Sequence, residues 1–135
     1  MPGMKIQKSS EDYLESMLIL HEEKGYVRSI DIAKHLRVTK PSVSYATKKL
    51  RENGYITMRS DGIIELTNKG YEIASKTYDK HKMLTKFFRC IGVPRDIAQS
   101  DACKIEHDIS AETYAALCEH VDNFLSDRPK NINDF

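Results

Sequence analysis

At 135 residues the chain can bury one good core, or two small helical units that share one, but not two large independent domains. Apolar residues make up 40% and charged residues 30%, no apolar run approaches the roughly eighteen residues of a membrane span, and Met1 to Lys8 lacks the apolar stretch of a secretory signal, so a cytoplasmic protein with no membrane partner is expected. Net charge is only +1, yet residues 28–60 carry eight Lys and Arg against Asp31 and Glu52, a local +6, while residues 61–135 sum to −3, so a polyanion would dock on the basic block.

Between Ser10 and Lys24 the apolar residues Tyr13, Leu14, Met17, Leu18 and Leu20 follow the spacing of one helical face, and Gly25 supplies a stop. A short second helix spans Ser29 to Leu36, with Ser29 as its cap, and Arg37-Val38-Thr39 turns the chain. Thr39 or Lys40 opens a third helix whose Pro41 falls in the first turn, where a missing N–H costs nothing, and whose Val43, Ala46 and Leu50 face inward. After Gly54 the pattern shifts to two β-prone runs, Tyr55 to Arg59 and Ile63 to Leu66, joined by the hairpin signal Ser60-Asp61-Gly62. Three helices and a hairpin describe a winged helix.

Thr67 can cap a long fourth helix ending at Arg89 or Cys90, before Gly92 and Pro94. A fifth helix from about Pro94 to Asp108, a sixth from Ser110 to about Leu125 and a polar tail from Ser126 to Phe135 complete the chain. The expected fold is mainly α, an N-terminal winged helix-turn-helix over 1–70 followed by a helical part over 71–135.

In a helix-turn-helix the third helix enters the major groove with polar side chains outward and its N-terminal residues nearest the base edges. Lys40, Ser42, Ser44, Tyr45, Lys48 and Lys49 meet that need. The hydroxyls can bond bases or phosphates, Tyr45 can pack on a thymine methyl or a sugar, and the lysines suit phosphates. Arg59 at the hairpin can reach backbone or minor groove. The plainer alternative is a solvated, lysine-bearing helix.

A second group of residues suits a metal. Asp12 and Glu15 are three apart on the first helix, Cys103, Glu106 and His107 have the spacing of one face of the fifth, and His81 lies midway along the fourth. This mixture of oxygen, nitrogen and sulfur donors suits first-row transition metals and disfavours Ca²⁺ and Mg²⁺, which take all-oxygen shells. Plainer readings stand beside it: Asp12 as the acid of a capping box opened by Ser9, Glu15 and Glu106 as solvated charges, His81 as a surface histidine, Cys103 as a small core residue. Spacing does not show that the three helices converge. Cys90, Cys103 and Cys118 are an odd set with no C-x-x-C pair, pointing to free thiols or ligands rather than disulfides.

Ser10-Glu-Asp-Tyr-Leu-Glu15, Asp31-Ile-Ala-Lys-His-Leu-Arg-Val38 with Pro41-Ser-Val-Ser44, Leu66-Thr-Asn-Lys-Gly70, Lys80-His-Lys-Met-Leu84, Ile91-Gly-Val93 and Cys103-Lys-Ile-Glu-His107 together resemble, in order, the iron- and manganese-dependent repressor family, that of the diphtheria toxin repressor and the manganese transport regulator. The resemblance covers residues 8 to 125. It implies a homodimeric repressor binding double-stranded operator DNA, with the helices after the wing forming the dimer. It also implies Mn²⁺ or Fe²⁺ as the activating ion, one or two per subunit, with Co²⁺, Ni²⁺ or Zn²⁺ as substitutes in vitro, held by Asp12, Glu15, His81, Cys103, Glu106 and His107.

The chain departs from both branches of that family. The manganese branch has acids at the positions of Asp12 and Glu15, as here, but glutamate at that of Cys103; the iron branch has the cysteine but methionine in place of Asp12. Thr85 and Gln99 stand where the iron branch's ancillary site places acid and histidine, so that second site is expected to be missing, and residue 135 precedes the SH3-like third domain of longer iron regulators. Two rival functions use the same residues differently: a winged-helix regulator sensing an organic ligand or an oxidant through Cys103, and a small metallohydrolase. The hydrolase reading lacks an H-E-x-x-H motif, a nucleophile elbow and a glycine-rich phosphate loop.

Overall fold

In the computed structural model, residues 7–126 are described, with side chains through Asn123; the polar tail lies outside them apart from Ser126. The elements run α1 (Lys8–Lys24), α2 (Ser29–Leu36), α3 (Lys40–Glu52), β1 (Ile56–Met58), β2 (Ile64–Leu66), α4 (Asn68–Cys90), α5 (Arg95–Ile105) and α6 (Ala111–Ser126). The chain divides into two compact units, the first ending at Tyr78 and the second beginning at Asp79. The chain is mainly α, as expected.

The first unit is a winged helix. Leu14, Met17, Val27, Ile32, Val43, Leu50, Ile56, Ile64 and Ala74 form its buried core, so each helix and both strands contribute to one apolar cluster. The strands pair antiparallel with Ile56 opposite Leu66 and Met58 opposite Ile64. A further backbone bond from Ile64 N to Val27 O, 2.8 Å, ties the wing to the segment between α1 and α2. The turn at the wing tip needs a positive φ, which Gly62 supplies at +88°.

Local capping sets where the helices begin. α1 has Gln7 at its N-cap with no side-chain cap. Ser9 therefore lies within the helix, and the capping-box reading of Asp12 is not realised. α2 corrects a second expectation: its N-cap is Arg28, not Ser29. Arg28 N donates to Asp31 Oδ2 at 2.9 Å, the reciprocal half of a capping box, while the Asp31 and Ile32 amides, which a capping Ser29 would have served, donate to Arg28 O. Thr39 caps α3, accepting from Ser42 N at 3.2 Å, and Thr67 caps α4, accepting from Gly70 N at 3.2 Å. Arg37 closes α2 in the left-handed region at φ 57°, an uncommon conformation for a side chain with a Cβ, and Val38 N bonds back to Ala33 O across the turn. Gly70 is required for a different reason. A Cβ there would run into the Tyr55 backbone carbonyl, so α4 starts flush against the strand that leads into the wing.

In the second unit Leu84, Ala98, Ala102 and Val121 are buried. Ser110 caps α6 through a 3.1 Å bond from Thr113 N. α5 is shorter than expected. It ends at Ile105 rather than Asp108, and residues 106–108 form a turn that carries Glu106 and His107 inward.

Candidate metal centre and nucleic-acid interface

The outer face of α3 follows from its inner one. Val43, Thr47 and Leu50 are buried at helical spacing, which leaves Lys40, Ser42, Ser44, Tyr45, Lys48 and Lys49 all exposed. Ser42 Oγ also accepts a 2.8 Å bond from the Thr39 hydroxyl, which orients it at the start of the helix. Arg59 is exposed immediately after β1 and pairs with Asp61 at 2.9 Å, while the other Asp61 oxygen accepts from Ile63 N at 3.2 Å. The wing thus holds its arginine in a defined place with its charge partly offset.

Asp31 does more than dilute the basic block. Besides Arg28 N it binds Lys24 Nζ at 2.6 Å, joining the end of α1 to the start of α2. The Lys24 hydrogen bond holds the Asp31 carboxyl below the usual carboxylate range, and the same contact raises Lys24. The sequence signal for this role was an acid three residues after Arg28, the third position of a capping box.

Of the proposed metal ligands, Asp12 and Glu15 lie on α1, one half-buried and the other buried. Two carboxylates one turn apart on that helix are close enough to serve one cation. The second unit brings the rest together. His81, on α4, sits with Nδ1 2.9 Å from Glu106 Oε2, and His107 Nε2 lies 3.5 Å from Glu106 Oε1. Cys103 Sγ and a Glu106 carboxylate oxygen lie within 4.8 Å of one another. The expectation that Cys103, Glu106 and His107 share one face of α5 holds only in part: Cys103 is on the helix and exposed, whereas Glu106 and His107 are buried in the turn after it.

Glu106 is the residue that asks for a cation. Its side chain has 0% exposure, and Oε1 has no hydrogen-bond partner among the described residues. Taking a carboxylate out of water without satisfying it costs several kcal/mol, roughly, so an anionic oxygen in this position is stable only with positive charge beside it. Two imidazoles and a thiol around that carboxylate are donors that a divalent transition metal accepts together. The residues present therefore fit such an ion.

Comparisons with known proteins identify the family. A family model described as "Iron dependent repressor, N-terminal DNA binding domain" matches residues 5–64, and one described as "Iron dependent repressor, metal binding and dimerisation domain" matches residues 67–132. The chain is similar to the "HTH-type transcriptional regulator MntR" of Geobacillus kaustophilus, 36% identical over 88% of this chain and 84% of that protein. It is similar to the protein of that name from Bacillus subtilis, 35% identical over the same shares. Among solved structures, "Crystal structure of T. acidophilum IdeR" matches with a TM-score of 0.75 at 28% identity, over 86% of this chain and 54% of that one. The chain thus spans about half the length of that solved structure. With both family models matched in order and relatives above 30% identity over most of its length, the chain belongs to the iron-dependent repressor family of metal-dependent transcriptional repressors.

Proposed function

We propose that the chain is a cytoplasmic, homodimeric repressor, without enzymatic activity, that binds double-stranded operator DNA when Mn²⁺ or Fe²⁺ is bound. The DNA-binding part spans 1–70 and the metal-binding and dimerisation part 71–135. Lys40, Ser42, Ser44, Tyr45, Lys48, Lys49 and the wing residue Arg59 meet the DNA. Asp12, Glu15, His81, Cys103, Glu106 and His107 hold the metal. The observation that carries this reading is Glu106, a fully buried carboxylate with an unsatisfied oxygen between two histidines. Names of the relatives, regulators called MntR, favour manganese among the two ions.

When bound, the ion supplies positive charge and a fixed set of bonds to carboxylates, imidazoles and a thiolate. Each protein group has its own task. Glu106 contributes the anionic oxygen, His81 keeps it oriented through the 2.9 Å contact, and Asp12 and Glu15 bring further negative charge from the helix that packs under the recognition helix. Because the proposed ligands come from both units, occupancy favours one arrangement of the DNA-binding parts. In a dimer that arrangement must present two α3 helices about 34 Å apart, one turn of DNA. Metal promotes DNA binding only by its differential affinity for that state, and DNA tightens metal binding by the same factor.

The test is selection of duplexes from a random pool by metal-free protein supplied with Mn²⁺, followed by rebinding of the winners in chelator. Recovery of a two-half-site duplex that is released by chelator supports the proposal. Equal binding with and without metal removes the metal switch and favours sensing of another signal.

A further inference from the structure

Tyr45 is the most exposed large hydrophobic residue among those described, at 66%. It lies on the outward face of α3, within the first two turns, where a helix seated in the major groove comes nearest the base edges. Lys49, one turn further along, holds its Nζ 5.4 Å from the ring centroid. That contact sets a cation against the aromatic ring, an arrangement the ring's quadrupole favours.

We infer that Tyr45, with Lys49 against its ring, is a specificity determinant that reads the 5-methyl group of a thymine in each operator half-site. This deepens the proposed function and rests on α3 being the DNA-reading helix. The chemistry selects the methyl. A phenol ring offers a flat apolar surface, and the thymine C5-methyl is the apolar feature that the major groove presents. Ser42 and Ser44, also exposed on α3, are short side chains, so Tyr45 is the large apolar surface that this stretch of the helix offers a base. Lys49 keeps its ammonium near the ring and is itself exposed, so it suits a phosphate of the same strand.

The experiment uses the full chain and the duplex selected in Mn²⁺. Each thymine of one half-site is replaced in turn by deoxyuridine, which removes the methyl and leaves every hydrogen-bonding group, and affinity is measured for the wild type, Tyr45→Phe and Tyr45→Ala. One replacement should weaken wild-type and Tyr45→Phe binding about fourfold, the worth of one buried methyl-sized group. Tyr45→Ala should bind both duplexes equally. Insensitivity of the wild type to every replacement, or retained sensitivity in Tyr45→Ala, overturns the inference while leaving the repressor intact. Loss of discrimination in Tyr45→Phe overturns it in favour of a hydroxyl contact. Failure to select any duplex overturns both the inference and the reading beneath it.

Discussion

Glu106 Oε2 lies 2.9 Å from His81 Nδ1, joining the turn after α5 to the middle of α4, while the other Glu106 oxygen is left without a hydrogen bond among the described residues. A carboxylate so placed behaves as a ligand in waiting, and its replacement should separate metal binding from folding. Glu106→Gln keeps the shape and removes the charge, so the metal-free protein should be no less stable than the wild type, since a buried anion is costly. Metal affinity should fall by more than about tenfold. Thermal melts in chelator and calorimetric Mn²⁺ titration check the two halves of this expectation.

The soft donor should set ion preference. Cys103 is exposed at the end of α5 and close to Glu106. Exchanging its sulfur for oxygen in Cys103→Glu should move preference from Co²⁺ and Zn²⁺ toward Mn²⁺, because hard ligands suit manganese and thiolate suits the later ions. Equilibrium dialysis of each protein against mixed Mn²⁺ and Co²⁺, read by bound metal content, measures that change. An unaltered ratio would show that Cys103 does not ligate.

The Lys24–Asp31 pair gives the first unit a pH dependence whose sign is determined. Asp31 has a depressed carboxyl pKa, chiefly through its hydrogen bond from Lys24, so it stabilises the fold above the unfolded carboxylate pKa and that contribution is lost as pH falls through the lower folded value. Asp31→Ala, which also removes the bond from Arg28 N, should cost about 1 kcal/mol at neutral pH, the worth of a helix cap. The deficit should shrink below about pH 4, as the wild type loses the same charge. Urea unfolding at several pH values reads the difference.

Gly70 is the steric counterpart of that electrostatic link. An added methyl would meet the Tyr55 carbonyl, which is backbone and has no rotamer to move into. Gly70→Ala should therefore destabilise by about 2 kcal/mol, as overpacking does, despite alanine's better helix propensity. A denaturation midpoint equal to or above that of the wild type would contradict the close approach.

Much of this was legible in the sequence because it rests on local chemistry. Thr39 and Thr67 cap their helices as their side chains require, Pro41 sits in the first turn of α3, and Asp61-Gly62 turns the wing. The errors came where a nonlocal demand competed with a local rule. Ser29 is a good cap by residue type, yet Asp31, already held by Lys24, takes the Arg28 amide, and the helix begins at Ser29 itself, one position earlier than a serine cap implies. The spacing of Cys103, Glu106 and His107 fits one helical face, but burial of Glu106 beside His81 turns the chain inward and ends α5 at Ile105. Spacing reports neighbours along a helix. The pairing of residue 81 with residue 106 is a property of packing, and no local pattern contains it.

The most direct measurement is the affinity of the selected duplex for wild type and Glu106→Gln as Mn²⁺ is titrated into metal-free protein, read by fluorescence anisotropy. Wild-type affinity should rise roughly 5- to 150-fold, the usual range of coupling between two ligands, while Glu106→Gln should stay at its metal-free affinity through the same titration. A wild type that binds with full affinity in chelator, or a Glu106→Gln variant that responds as the wild type does, would contradict a metal switch built around Glu106.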